Sequence, residues 1–362
     1  MSDTAVGRAS AYLLAQAERQ FAEVRHEITF THRAGFTGQS ERQSGDLFAR
    51  ATLANLCLDI AALSQDPEIA TALRAVARRE ATYLANAKVA DRRGGWSYFP
   101  GLPELPPDAD SLAAVLSLFL RIAPEYVPLC DEPVEHALAG GGEDGSLETW
   151  IVAATDSPQQ RERMQWAIRN CWGTGTDPDV LAHFYHALFR RAHERDRASI
   201  ERGVSKLIAM QQPDGTWRST WYVGPAFGTG LALRLLRETG KGEEVCARAR
   251  TFLLDAQRAD GAWGDHTPTA LETALSMIAL AETGSNGDSR RLTLGGSALQ
   301  TMQLEDGSWP ASPWIRMEIG RATGTIVRVL TYQSITITTA YCLKGLLLAS
   351  RSAPLREHAA TV

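Results

Sequence analysis

Three aspartates and a histidine stand at spacings that could do chemistry. Asp108 and Asp110 are separated by one residue in PPDADS, and an apolar stretch with three- and four-residue steps follows, predicting a helix from about Ser111. Neighbouring carboxylates cannot all ionise cheaply, while a helix N-terminus favours a conjugate base. Together these effects can keep a carboxylic acid protonated at neutral pH and still let it release the proton. Asp179 and His183 lie four residues apart, so on a helix they share a face. Each pair also has a plain structural meaning. PPDADS reads equally as a loop with an acidic helix cap, and the second pair as a surface helix with a capping Asp and an incidental His.

The elements that must hold these groups are helical. Residues 10–30, 46–63, 69–84, 111–122 and 180–192 carry apolar side chains at three- and four-residue steps. Only 324–337, with Ile326, Val327, Val329 and Leu330, alternates with period two. The expected fold class is all-α. A repeat sharpens this: QQPDGTW, QRADGAW and QLEDGSW end at Trp217, Trp263 and Trp309, each 46 residues from the next. Degenerate copies are expected at Trp172 and at GGW, ending at Trp96. Before each clear copy lies a helical stretch, at 200–210, 246–256 and 295–302. The unit reads as a helix, a tight Asp-Gly turn, and a tryptophan that locks the turn against a neighbouring helix; the Gln can bond free backbone groups at the helix end. At roughly 30 residues per helix and loop, the chain holds about twelve helices. That is a single (α/α)6 barrel over 1–362, inner helices around a central cavity, with no linker to split it.

Composition narrows the partners. The 362 residues are 44% hydrophobic, enough for a globular core, and the net charge of −5 comes without a basic stripe, which argues against nucleic acid. Cys57, Cys130, Cys171, Cys246 and Cys342 are odd in number and widely spaced, the pattern of reduced thiols in a cytoplasmic protein. MSDTAVGRAS has no apolar signal core, and no apolar run reaches the ~18 residues of a membrane span.

The repeat resembles the QW motif of the squalene–hopene cyclase and terpene cyclase superfamily. QW-like turns also occur in related barrels such as protein prenyltransferase β subunits, so three further blocks matter. GGWSYFPGLPELPPDADSLAAVL (94–116) resembles the family's aromatic turn and DxDD acid motif. TDPDVLAHFYHAL (176–188) resembles the block whose histidine contacts the acid, and GTWRSTWYVGPAFGTG (215–230) a cavity-wall block. TYQSITITTAYCLKGL (331–346) is similar, more loosely, to the closing segment. The resemblance spans about 40–350, one barrel.

By this resemblance Asp110 is the acid that protonates an alkene, and Asp108 assists it through hydrogen bonding. Ser111 stands where the motif has its fourth residue, Asp, and starts the helix as a cap. His183 holds and activates Asp110, and Asp179 orients His183. His186 and His193 match no family role and are taken as structural. Trp96, Tyr98, Trp221 and Phe227, with Trp314 and Tyr332 from the closing region, would line a dry cavity whose aromatic faces stabilise carbocations without attacking them. Trp217, Trp263 and Trp309 are assigned to structure.

The implied reaction is class II cyclisation of a linear farnesyl or geranylgeranyl chain, carried as a prenylated small molecule or a diphosphate. No cofactor is expected, and Mg2+ only for a diphosphate. No DDxxD run supports class I chemistry, and the cysteines form no zinc-ligand constellation. Two other readings stay open: a non-catalytic barrel that binds isoprenoids or proteins, and an α/α-barrel carbohydrate enzyme, against which the apolar aromatic blocks argue. Without a span, the protein would meet greasy substrates at a membrane surface or take them from a carrier. Oligomeric state is left open.

Overall fold

The protein is described from a computed structural model over residues 4–30, 42–264, 267–284 and 288–352. Thirteen α-helices and two short β-hairpins are found among the described residues. Six helices pack side by side into a closed inner ring: α2 (Leu47–Leu63), α4 (Ala109–Ile122), α7 (Pro178–Arg191), α9 (Ala226–Thr239), α11 (Ala270–Glu282) and α13 (Ile335–Ser352), with α13 returning against α2. Around it lie α1 (Ala5–Glu18), α3 (Pro67–Asn86), α5 (Asp131–Ala139), α8 (Arg197–Ala209), α10 (Glu243–Asp255) and α12 (Ser289–Met302). This is the expected (α/α)6 barrel, with α6 (Pro158–Ala167) as an additional helix. Burial separates the rings. In α11 every residue from Ala270 to Leu280 except Glu272 is buried, whereas in α10 only Val245, Ala249 and Leu253 are. A helix apolar on all sides belongs inside; one with a single stripe belongs outside.

The repeat turns stitch the outer ring together. In the QRADGAW copy the indole N–H of Trp263 donates to the carbonyl of Leu253, 2.8 Å away at the end of α10. Gly261 has φ +86, and a Cβ there would stand 2.5 Å from the Leu294 carbonyl oxygen of α12, so a glycine is required. The Gln257 amide donates to Gly261 O at 3.0 Å and to Arg291 O of α12 at 2.9 Å. The Gln therefore joins its own turn to the next outer helix rather than bonding its own helix end. The other clear copies repeat this, from Gln211 to Val245 of α10 and from Gln303 to Ala5 of α1. The last closes the ring by bringing the first helix against the last repeat.

Of the two degenerate copies, the one expected at Trp96 is found there and the one expected at Trp172 is not. Trp96 is a true repeat tryptophan, its indole N–H donating to Leu84 O at 2.8 Å beside α5. The copy expected at Trp172 instead lies at Asp144–Gly145–Ser146. There Asp144 accepts the Ser146 N–H at 3.0 Å, as Asp306 does from Ser308, and Gly145 sits against Arg202 of α8. Leu147 takes the tryptophan's place, so the aromatic signal is lost.

The helix expected over 10–30 ends at Glu18, because Gln20 and Phe21 turn to positive φ, and β1 (His26–Thr29) follows, paired with β2 (Arg42–Gly45). The period-two stretch forms β4 (Arg328–Ser334), antiparallel to β3 (Ser312–Ile319). The fold is thus helical with two hairpins set beside the cavity.

Candidate active site

Helices α2, α4 and α7 begin around one apolar cavity, joined by the loop that precedes α9. Seven aromatic residues line it: Phe48 in the first turn of α2, Tyr98, Phe99, Trp150, Trp172, Trp221 and Tyr222. Asp108 and Asp110 enter it at the start of α4, and Ile315 and Met317 of β3 complete the wall.

Asp108 is the N-cap of α4, with extended backbone. Its carboxylate accepts the Ser111 N–H at 2.6 Å and the Ser111 hydroxyl at 2.9 Å. The strand-like residues around it are pinned, since Asp108 N–H donates to Trp96 O and Ala109 N–H to Thr149 O. Asp110 therefore projects from the first turn of α4. Pro178 starts α7, where a missing N–H costs nothing, and places Asp179 in the first turn and His183 one turn on.

These helix starts converge on Asp110. His183 Nδ1 stands 2.6 Å from Asp110 Oδ1, and the Tyr222 hydroxyl donates to Asp110 Oδ2. Burial, then the charge of Asp110, raises the Tyr222 phenol well above its ordinary value, so it stays a donor. The carboxylate left by proton loss from Asp110 would keep both partners and lie at a helix N-terminus, three effects that stabilise a conjugate base. Burial also lifts Asp108, to about 7 against the bonds from Ser111, and Asp179, to about 8 with help from the charges of Asp177 and Asp110. The neighbours of Asp110 thus hold protons near neutral pH.

The aromatic wall is fixed from behind. Trp221 donates its indole N–H to Asp177 Oδ2 at 2.8 Å, and the Arg321 guanidinium lies 4.6 Å from its ring centre. Trp150 meets Trp221 edge-on at 5.4 Å. Quadrupolar faces held this way can stabilise a cation that offers no hydrogen-bond donor.

The structure brings Asp108, Asp110, Tyr98 and Trp221 to the cavity and His183 to Asp110. It places others elsewhere. Trp96 does not line the cavity; its indole is spent on the repeat turn. Phe227, Trp314 and Tyr332 form a layer behind the wall: Phe227 packs 4.0 Å from Tyr222, Trp314 stacks on Phe48 at 5.6 Å, and Tyr332 donates to Val24 O at 2.7 Å. Asp108 bonds its own helix rather than Asp110. Asp179 does not orient His183. Its Oδ2 accepts the Ser219 hydroxyl at 2.8 Å, because His183 turns towards α4 while Asp179 turns to the loop before α9. Ser111 is not the cap but the residue that the cap holds.

Tyr222, Phe48, Phe99, Trp150 and Trp172 were missed as site residues. Tyr222 stands next to Trp221 in an irregular loop, where no periodicity says which ring turns inward. Trp172 ends a π-helical turn, Ile168–Trp172, whose extra residue redirects the side chain.

Two expected results follow from this geometry. Tyr222→Phe removes one donor to Asp110 without changing the wall, so turnover should drop about ten- to a hundredfold with substrate affinity kept, read from kcat and KM separately. For Asp179, a folded pKa of about 8 lies above that of the unfolded chain, 3.8. The native state keeps a proton that the unfolded state releases, so stability declines as pH rises from about 4 to about 8. Asp179→Asn, which can still accept from Ser219, should raise the melting temperature more at pH 8 than at pH 5. Equal shifts at both would mean that Asp179 is ionised in the fold.

Residues 173–317 match the Squalene-hopene cyclase C-terminal domain family. Terpentedienyl-diphosphate synthase of Kitasatospora griseola is 28% identical over 206 residues, 48% of this chain and 40% of that protein. Copalyl diphosphate synthase of Streptomyces anulatus is 38% identical over 82 residues, 22% of this chain and 15% of that one. The chain is thus similar to squalene-hopene and terpene cyclases over part of its length. It spans less than half the length of these two curated relatives. In fold the chain is similar from end to end to the type II terpene cyclase MstE from Scytonema, with a TM-score of 0.69 at 16% identity over 96% of this chain and 98% of that one. A variant of MstE has been solved with geranylgeranyl dihydroxybenzoate, its substrate.

Proposed function

We propose that this chain is an acid-initiated cyclase of a linear isoprenoid, with Asp110 as the proton donor. The observation that carries the reading is the placement of Asp110. It opens into an aromatic, apolar cavity while His183 and Tyr222 hold its two oxygens. The Asp110 carboxyl proton adds to the terminal alkene carbon and leaves a tertiary carbocation and a carboxylate. Internal double bonds then attack in turn, and the last cation loses a proton or takes up water. Dry aromatic walls keep water from ending the cascade early.

The cavity fits a farnesyl or geranylgeranyl chain in chemistry, and the MstE substrate favours a prenylated small molecule over a diphosphate. The step asks for no cofactor; Mg2+ enters only with a diphosphate head group. No helix among the described residues is long and apolar enough to cross a membrane. Ile326 and Val327, exposed just before β4, and Val329, exposed within it, support peripheral contact with a lipid surface.

The test is incubation with farnesyl and geranylgeranyl diphosphates, squalene, and farnesylated and geranylgeranylated aromatics, followed by mass spectrometry. A cyclic isomer from one of them is the expected result. Binding of a substrate that always returns unchanged would replace the cyclase with an isoprenoid-binding barrel.

A further inference from the structure

Asp177 is the N-cap residue of α7, with extended backbone, yet its side chain makes no capping hydrogen bond. A capping Asp stabilises a helix start, and here that local gain is forgone. The carboxylate is bonded to the cavity wall instead. Its Oδ2 accepts the Thr149 hydroxyl at 2.7 Å and the Trp221 indole N–H at 2.8 Å, and its Oδ1 accepts the Thr220 hydroxyl. Asp177 is 5% exposed, and Thr149 and Trp221 both line the cavity. A buried charge is costly unless it is bonded, and these bonds fix the rotation of a cavity ring.

A second charge meets the same ring. Arg321 opens the short 3-10 turn Arg321–Thr323 between β3 and β4. Its guanidinium lies over the Trp221 ring, 4.6 Å from the centre, and 3.7 Å from Asp177 Oδ2. The turn is held in place. Gly320 N–H donates to Cys171 O at 3.0 Å, and a Cβ on Gly173 would stand 3.0 Å from Arg321 Nε. The two charges act oppositely on the indole. A carboxylate at its N–H pushes electron density towards the π face, which strengthens the attraction for a cation. A guanidinium over the ring already draws on that density and weakens the ring for a second cation.

We propose that Asp177 and Arg321 set how strongly Trp221 holds a cation in the cavity, Asp177 raising that strength and Arg321 limiting it. The inference rests on the cavity taking a carbocation. Neither charge is among the residues that line the cavity, so both are positioning residues that act through the ring. A cascade passes its positive charge from carbon to carbon, and a wall that bound one intermediate too tightly would hold it there. The opposed pair lets Trp221 stabilise a passing cation without trapping it.

Equilibrium dialysis with a dodecyl trimethylammonium salt and its uncharged tert-butyl isostere tests this without turnover. The ratio of the two affinities measures the preference for charge. Arg321→Met keeps bulk over the ring and removes the charge, so it should raise the preference about three- to tenfold. Asp177→Asn should lower it by a similar factor, while both variants bind the uncharged probe as the wild type does. The Arg321 side chain is 19% exposed, so Arg321→Met decides the matter even if Asp177→Asn fails to fold. In a Trp221→Leu background, Arg321→Met should leave the preference where it is. An unchanged preference in Arg321→Met alone overturns the proposal. So does an equal rise in the Trp221→Leu background, which would put the arginine's effect directly on the ligand. If the wild-type protein cyclises nothing and these shifts still appear, the cyclase reading falls and the charge pair stands. If it cyclises a substrate and the shifts are absent, the charge pair alone falls.

Discussion

Asp110→Asn is expected to lower cyclisation at least about a thousandfold while the protein still folds and still binds substrate. Asn keeps the shape and one acceptor oxygen, so Tyr222 and the first turn of α4 are undisturbed. What it lacks is a proton acidic enough for an alkene, one of the weakest bases an enzyme meets. The measurement is product formation by mass spectrometry beside a thermal-shift assay with the same substrate. Loss of product with binding intact identifies the acid. If a tenth of the activity survived, the donor would have to be sought in Asp108, the other carboxyl on the cavity wall, whose pKa burial lifts to about 7. Asp179 is a weaker rival. It retains a proton near neutral pH but faces Ser219, behind the wall.

Trp263→Ala should reduce the free energy of unfolding by about 3–5 kcal/mol, read from the shift of a urea melting curve. The indole is almost wholly buried between α10, its own turn and α12, so its removal leaves a cavity in a close-packed region. It also strands the Leu253 carbonyl at the end of α10. Trp221→Ala offers the contrast. That ring lines the cavity rather than locking a turn, so its loss should change products and rate more than stability. Comparable destabilisation by both substitutions would show that the repeat tryptophans are no more structural than the wall.

The barrel was legible because its cause is local and repeated. A glycine with positive φ, a tryptophan ten residues past the carbonyl it binds, and a Gln reaching the next helix write the same pattern three times. Where the pattern loses its tryptophan, as at Leu147, the sequence no longer announces the turn, although the backbone still makes it. The candidate acid was legible for a similar reason. Asp110 sits in a helix start, and His183 one turn into another, at spacings that local geometry already sets.

The partners of those groups were decided only by packing. Whether Asp179 faces His183 or Ser219 depends on the rotation of α7 against α4 and the loop before α9, and residues four apart share a face without having to meet. Tyr222 comes to Asp110 across 112 positions of chain, from a loop with no period. Trp172 and Trp96 exchanged expected roles for the same reason: a tryptophan's chemistry is identical in both places, and only the neighbouring helix says whether its N–H caps a carbonyl or its face meets a ligand. The sequence by itself determined the helical ring and the side chains able to carry a proton. The tertiary structure decided which oxygen each proton sits beside, because hydrogen bonds are made across helices whose relative rotation no single segment encodes.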